Sequence, residues 1–220
     1  FVNSMSDLFH EDVPFEFIYR VWCVITAARK HTFQILTKRP KRMREFTQWL
    51  AGADDISIAE WPRNVWLGVS VENQATADER IPFLLQTPAA VRFLSVEPLL
   101  EAVSVYPYLI KTCCWGDGTC NAGGVPCYGA KIDWMIVGGE SGPHARPCNI
   151  EWIRSIIAQC KAGGMPCFVK QIGTNPVGRV AIPRDLRRNP NPPPYPLIRA
   201  RKGDDPAEWP EDLRVREFPR

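Results

Sequence analysis

An α/β architecture is expected for this chain: a parallel (β/α) barrel, TIM-like and incomplete, with an irregular Pro/Arg-rich C-terminal tail. Three observations carry the expectation. Apolar runs bounded by turn residues alternate with stretches whose apolar residues recur every three or four positions, so strands alternate with helices and right-handed crossovers make the strands parallel. Nearly every apolar run ends in polar or charged residues, whereas an open doubly wound sheet concentrates its site at one switch point. No run is followed by the Gly-x-Gly-x-x-Gly loop of a dinucleotide-binding fold.

Taken in order, FVNSMSDLF at the start reads as a short strand ending in Asn3, Ser4, Ser6 and Asp7. Positions 14–29 place Phe17/Ile18, Val21, Val24/Ile25 and Ala28 at helical spacing behind Pro14, with Cys23 expected on the apolar side. A strand at 32–36 delivers Thr37, Lys38 and Arg39, and Pro40 opens a helix whose apolar stripe is Met43, Phe46 and Trp49/Leu50. A third strand, NVWLGVSV at 64–71, presents Ser70, Glu72 and Asn73; the helix after it has capping-box spacing at Thr76 and Glu79 and a possible break at Pro82. The strand at 91–96 ends on Ser95, Glu97 and Pro98. There the rhythm fails, and 103–131, with Cys113, Cys114, Cys120 and Cys127 among glycines, reads as an inserted loop.

The fifth strand is the apolar run Trp134-Met135-Ile136-Val137, stopped by Gly138 and Gly139 with Glu140 and Ser141 behind them. Asn149 caps the next helix, Gly163-Gly164 ends it, and PCFVK at 166–170 is the sixth strand, delivering Lys170 and Gln171. The barrel portion thus spans 1–173, and 174–220 is an extended tail packing on it, stiffened by Pro192-Pro193-Pro194.

At 220 residues and 45% hydrophobic the chain can bury one core, and a net charge of +3 neither demands nor excludes a nucleic-acid partner. Eight cysteines without a signal segment read as a reduced, cytoplasmic protein. No apolar run approaches the roughly 20 residues that span a bilayer. The chain opens inside a strand without an initiator Met, so residues upstream are expected.

If the strands close round an axis, their polar ends share one rim. Glu72, Glu97, Glu140, Lys38 and Lys170 are the candidate catalytic groups, able to transfer protons or hold a ligand's amine and carboxylate. Ser70, Ser95, Gly138, Gly139 and Ser141 are the cofactor-binding candidates, and Asn3, Ser6, Asp7, Arg39, Asn73 and Gln171 the substrate-binding ones. The bland reading makes Asp7, Asn73 and Ser141 helix caps and the remaining charges a solvated surface. No metal site is assigned: the four thiols of the inserted loop lack the paired C-x-x-C spacing of structural zinc.

The phrases FVNSMSDLFH, HTFQILTKRP, NVWLGVSVENQ, RFLSVEPLL, IDWMIVGGESGPHARP and WPEDLRVREFP together resemble the phage-associated family of unknown function named after phage gene products thirty-seven and sixty-eight, common in phages, prophages and bacteria. Members usually begin with a three-cysteine segment, and the whole resembles the barrel of radical S-adenosylmethionine enzymes. The resemblance implies that this chain is the larger C-terminal part of such an enzyme. It also implies S-adenosylmethionine and a four-iron cluster as cofactors of the full-length protein, with a nucleic acid or peptide as substrate. This chain lacks the C-x-x-x-C-x-x-C pattern and is expected to be inactive alone. Gly138-Gly139-Glu140 is similar to the Gly-Gly-Glu motif that binds the cofactor's amino group, but it follows a late strand rather than an early one, so that role is not transferred. The competing reading is a non-catalytic barrel that binds nucleic acid through Arg39, Lys41, Arg42, Arg44 and the arginine-rich tail.

Overall fold

A computed structural model of the chain describes residues 1–3, 5–52, 61–109, 130–178 and 200–219. The strands are β1 (Phe33–Thr37), β2 (Val65–Ser70), β3 (Val91–Val96), β4 (Trp134–Gly138), β5 (Cys148–Asn149), β6 (Cys167–Gln171) and β7 (Pro176–Val177). The helices are α1 (Phe15–Ala27), α2 (Pro40–Ala51), α3 (Gln74–Leu85), α4 (Tyr106–Leu109) and α5 (Ile150–Ala162). Five parallel strands form one sheet in the order β1-β2-β3-β4-β6, and β5 pairs with β7 beside it.

Each strand of the main sheet lies next to its predecessor, with no reversal of order. Right-handed crossovers in such a sheet all fall on the same face. The packing agrees: Ile35, Leu67, Leu94, Met135 and Val169 meet Ile18 of α1, Phe46 of α2, Ile81 of α3 and Ile153 of α5 in one large core. Side chains alternate along a strand, so the next residues point the other way. They build a separate cluster of Phe93, Trp134 and Ile136 with Leu36, Trp66 and Phe168, to which no helix among the described residues contributes. Two apolar faces explain why each strand reads as an unbroken apolar run. Gly68 pairs in register with Phe93, and a Cβ on it would stand 2.5 Å from the Phe93 ring, so only glycine leaves that ring its place.

The two edges are covered by chain ends. Val2 bridges Ile35 in parallel sense, its N–H donating to the Gln34 carbonyl at 2.8 Å. On the far edge Arg216 bridges Phe168 in antiparallel sense, and Val169 and Cys167 exchange backbone hydrogen bonds with Val215 and Glu217.

Several expectations are corrected. The opening phrase contributes a single bridge rather than a strand: Asn3 is left-handed (φ 54°), and the Asp7 carboxylate draws the following chain into a turn by accepting from the Phe9 N–H. Cys23 is exposed, whereas Cys148, Cys160 and Cys167 are buried, and burial pushes the Cys148 thiol up to about 12. The cap of α3 is Asn73, whose side chain accepts from the Thr76 N–H while Thr76 answers the Asn73 N–H, and α3 continues through Pro82. The expected insertion begins too early, because Val103, Val105 and Leu109 are core residues; Cys113, Cys114, Cys120 and Cys127 lie outside the described residues. The tail holds more structure than expected. It contributes β7, two 3₁₀ turns (Pro206–Glu208 and Glu211–Leu213) and the buried side chains of Trp209 and Leu213.

Candidate functional site

The face of the sheet that no helix among the described residues covers is the floor of a cleft of about 1060 Å³. Its apolar wall is Leu36, Trp134, Ile136 and Phe168, with Phe1 closing one side and Phe218 the other. The aromatic rings touch edge to face or tilted: Trp134 lies 6.0 Å from Phe93 and from Trp66, 6.1 Å from Phe168 and 5.6 Å from Phe218. Parallel strands bring their C-terminal ends to one edge, and that edge supplies the polar rim: Thr37, Lys38 and Arg39 after β1, Ser70 from β2, Ser95 and Glu97 at the end of β3, and Lys170 from β6.

Ser70 and Ser95 are register partners on neighbouring strands, each 5% exposed. Both line the cleft, and among the described residues neither hydroxyl has a hydrogen-bond partner. Glu97 accepts from Lys170 Nζ at 3.0 Å. Asp7 accepts from the Thr37 hydroxyl at 2.8 Å, the Lys38 N–H at 3.1 Å and Arg39 at 3.1 Å, and so ties the opening segment to the end of β1. Asn3, Ser6 and His10 complete that side of the cleft.

The other expected site residues do not line the cleft. Glu72 lies behind the rim, 2.6 Å from Lys38 Nζ and 2.9 Å from Arg80. Burial alone would push its carboxyl up, but the contact with Lys38 and the charges of Arg80 and Lys38 outweigh it and hold Glu72 below the usual range. Glu140 turns outward into a two-pronged pair with Arg146, whose hydrogen bonds lower its carboxyl to about 2. Asn73 caps α3, and the Gln171 side chain donates to the Gly139 carbonyl at 2.8 Å. Gly138 and Gly139 serve close packing: Cβ atoms there would stand 2.9 Å from the Gln171 carbonyl oxygen and 2.5 Å from that of Ile172. Ser141 is exposed on the turn beyond them. Of the basic run on α2, Arg42 is engaged internally, over the Phe15 ring at 4.6 Å and donating to the Val13 carbonyl.

The aromatic wall is what sequence reasoning missed. Its signal was present as Trp134 and Phe168, with Trp66 and Phe93 packed beside them on the same side of neighbouring strands.

A family model described as protein of unknown function (DUF5131) matches residues 1–193. No curated protein and no solved structure matches the chain. The family match corrects the resemblance to the phage gene-product family and its radical S-adenosylmethionine barrel. Among the described residues, which leave out Cys113, Cys114, Cys120 and Cys127, no group of three or more His, Cys, Asp or Glu could hold a metal ion. No helix among them is long and apolar enough to cross a membrane.

Proposed function

Because the chain belongs to a family whose description assigns no activity, we propose its function from the cleft: it binds a small molecule with a flat ring system and several hydrogen-bonding groups. The ring lies on the Trp134–Phe168 wall, its polar groups meet the hydroxyls of Ser70 and Ser95, and Glu97 with Lys170 is the pair able to exchange a proton with it. In the same reading the sheet is an arc of a TIM-like barrel. Sequential strands with helices on one face are the winding of a barrel, and barrel sites lie at the C-terminal ends of the strands.

The observation that carries this reading is the Ser70–Ser95 pair. Hydroxyls this close to a core normally bond the protein, whereas these oxygens stay open to the cleft. Side by side and facing an aromatic cleft, they hold hydrogen-bonding capacity that the fold does not use.

Neutral nucleosides have the required shape and polarity and serve as probes. Titration with adenosine, guanosine, cytidine and uridine is expected to change the tryptophan emission saturably for at least one of them, and Trp134→Phe is expected to remove most of that change. A response that never saturates, or one unaltered by Trp134→Phe, contradicts the reading.

A further inference from the structure

The rim of the cleft has an asymmetry that narrows the ligand further. Three ion pairs stand there, Lys38 with Glu72, Arg39 with Asp7 and Lys170 with Glu97. In each pair the carboxylate is the buried partner, with side chains 10%, 14% and 15% exposed. The cations are the exposed partners, at 56%, 38% and 54%. Each negative charge thus lies deeper than the cation paired with it. Glu72 also holds Arg80, and Asp7 also accepts from the Thr37 hydroxyl and two backbone N–H groups. What a ligand meets at the mouth of the cleft is two ammonium groups and a guanidinium, each more exposed than the carboxylate it pairs with; Asp7 and Glu97 line the same cavity beneath them.

We infer that the ligand is an anionic, ring-bearing small molecule of the nucleoside monophosphate class, its base on the Trp134–Phe168 wall and its phosphate among Lys38, Arg39 and Lys170. The inference rests on the proposed ring-binding cleft and adds the anion. Phosphate is matched to this rim because its several oxygens accept from cations on different strands at once, and charge-assisted hydrogen bonds are roughly twice as strong as neutral ones. A single nucleotide rather than a strand is favoured because the segment pinned through Asp7 flanks the cleft on one side and the segment of Phe218 on the other. Its volume is also that of a small-molecule site.

The test compares AMP, GMP, CMP and UMP with their nucleosides, with inorganic phosphate and with an oligonucleotide of ten residues, in wild type and in Lys38→Gln. Lys38 is chosen because Glu72 keeps Arg80 when it is lost, so the fold is retained. At least one monophosphate is expected to bind about ten-fold or more tightly than its nucleoside, an advantage that shrinks as salt is raised. Lys38→Gln is expected to reduce monophosphate affinity several-fold and leave nucleoside affinity unchanged. Equal affinity for nucleoside and monophosphate overturns the anion while leaving the ring-binding cleft standing. Binding of inorganic phosphate as tight as that of the nucleotides, or tighter binding of the oligonucleotide, also overturns the inference. Absence of binding by nucleosides and monophosphates alike removes the cleft reading with it.

Discussion

Trp209→Ala is expected to cost about 3–5 kcal/mol of stability, in the range measured for large buried aromatics. For a chain of this size that corresponds to a melting temperature lower by roughly 10 °C. The Trp209 ring is 2% exposed, its indole N–H donates to the Gly203 carbonyl at 3.0 Å, and the Arg216 guanidinium lies 5.4 Å over it. The same Gly203 carbonyl accepts from the Ile172 N–H just beyond β6, so the side chain joins the C-terminal segment to the sheet at the end that carries the rim. Losing it should also loosen Val215 and Glu217 from the β6 edge and Phe218 from Trp134. Trp209→Phe, which keeps most of the ring and loses the donor, should lie between the two. Thermal or urea denaturation decides the matter, and a Trp209→Ala protein melting within 2 °C of wild type would show that the segment is merely laid on the surface.

Glu72→Gln should have the next largest effect, about 3 kcal/mol at neutral pH, because it leaves Arg80 largely buried beside a neutral amide. The loss has a defined pH dependence. The Glu72 carboxyl is held below its unfolded value, so the stability it contributes is complete above that value and drains away as pH falls through the folded one. The gap between wild type and Glu72→Gln should therefore be widest near neutrality and narrow as pH falls through and below the ordinary carboxylate range. Urea midpoints measured from pH 7 to pH 3 test this, and a gap of constant size would mean that the amide disturbs packing rather than charge.

How much of this was legible in the sequence depended on what each residue had to contact. β3 was delimited without error, and the other four long strands to within a residue or two, because an apolar run ended by Ser-Val-Glu-Pro or Gly-Gly has few alternatives. The rim was legible for the same reason: in parallel strands the residue that ends the run is the residue at the edge. What the chain order could not show was direction. Glu72, Glu97 and Glu140 occupy similar places after their strands, yet only Glu97 lines the cleft, because Arg80 and Arg146 claim the other two. The aromatic wall was hidden because strands apolar on both faces carry no alternation to say which ring faces the helices. Asn3 and Asp7 ended the first strand early through local turn chemistry, which short-range patterns register poorly.

The central claim is that the hydroxyls of Ser70 and Ser95 are held for a ligand rather than for the fold, and the Ser70→Ala/Ser95→Ala double variant separates the two. Removing two hydroxyls that open to the cleft and bond nothing in the fold should leave the melting temperature within a few degrees of wild type, since about 1 kcal/mol is worth roughly 2–4 °C here. Affinity for the best-binding nucleoside monophosphate, measured by calorimetric titration of the same preparation, should fall about ten-fold or more, as two hydrogen bonds to the ligand are lost. A double variant that melts well below wild type, or one that melts like wild type and binds the nucleotide with undiminished affinity, would contradict the account.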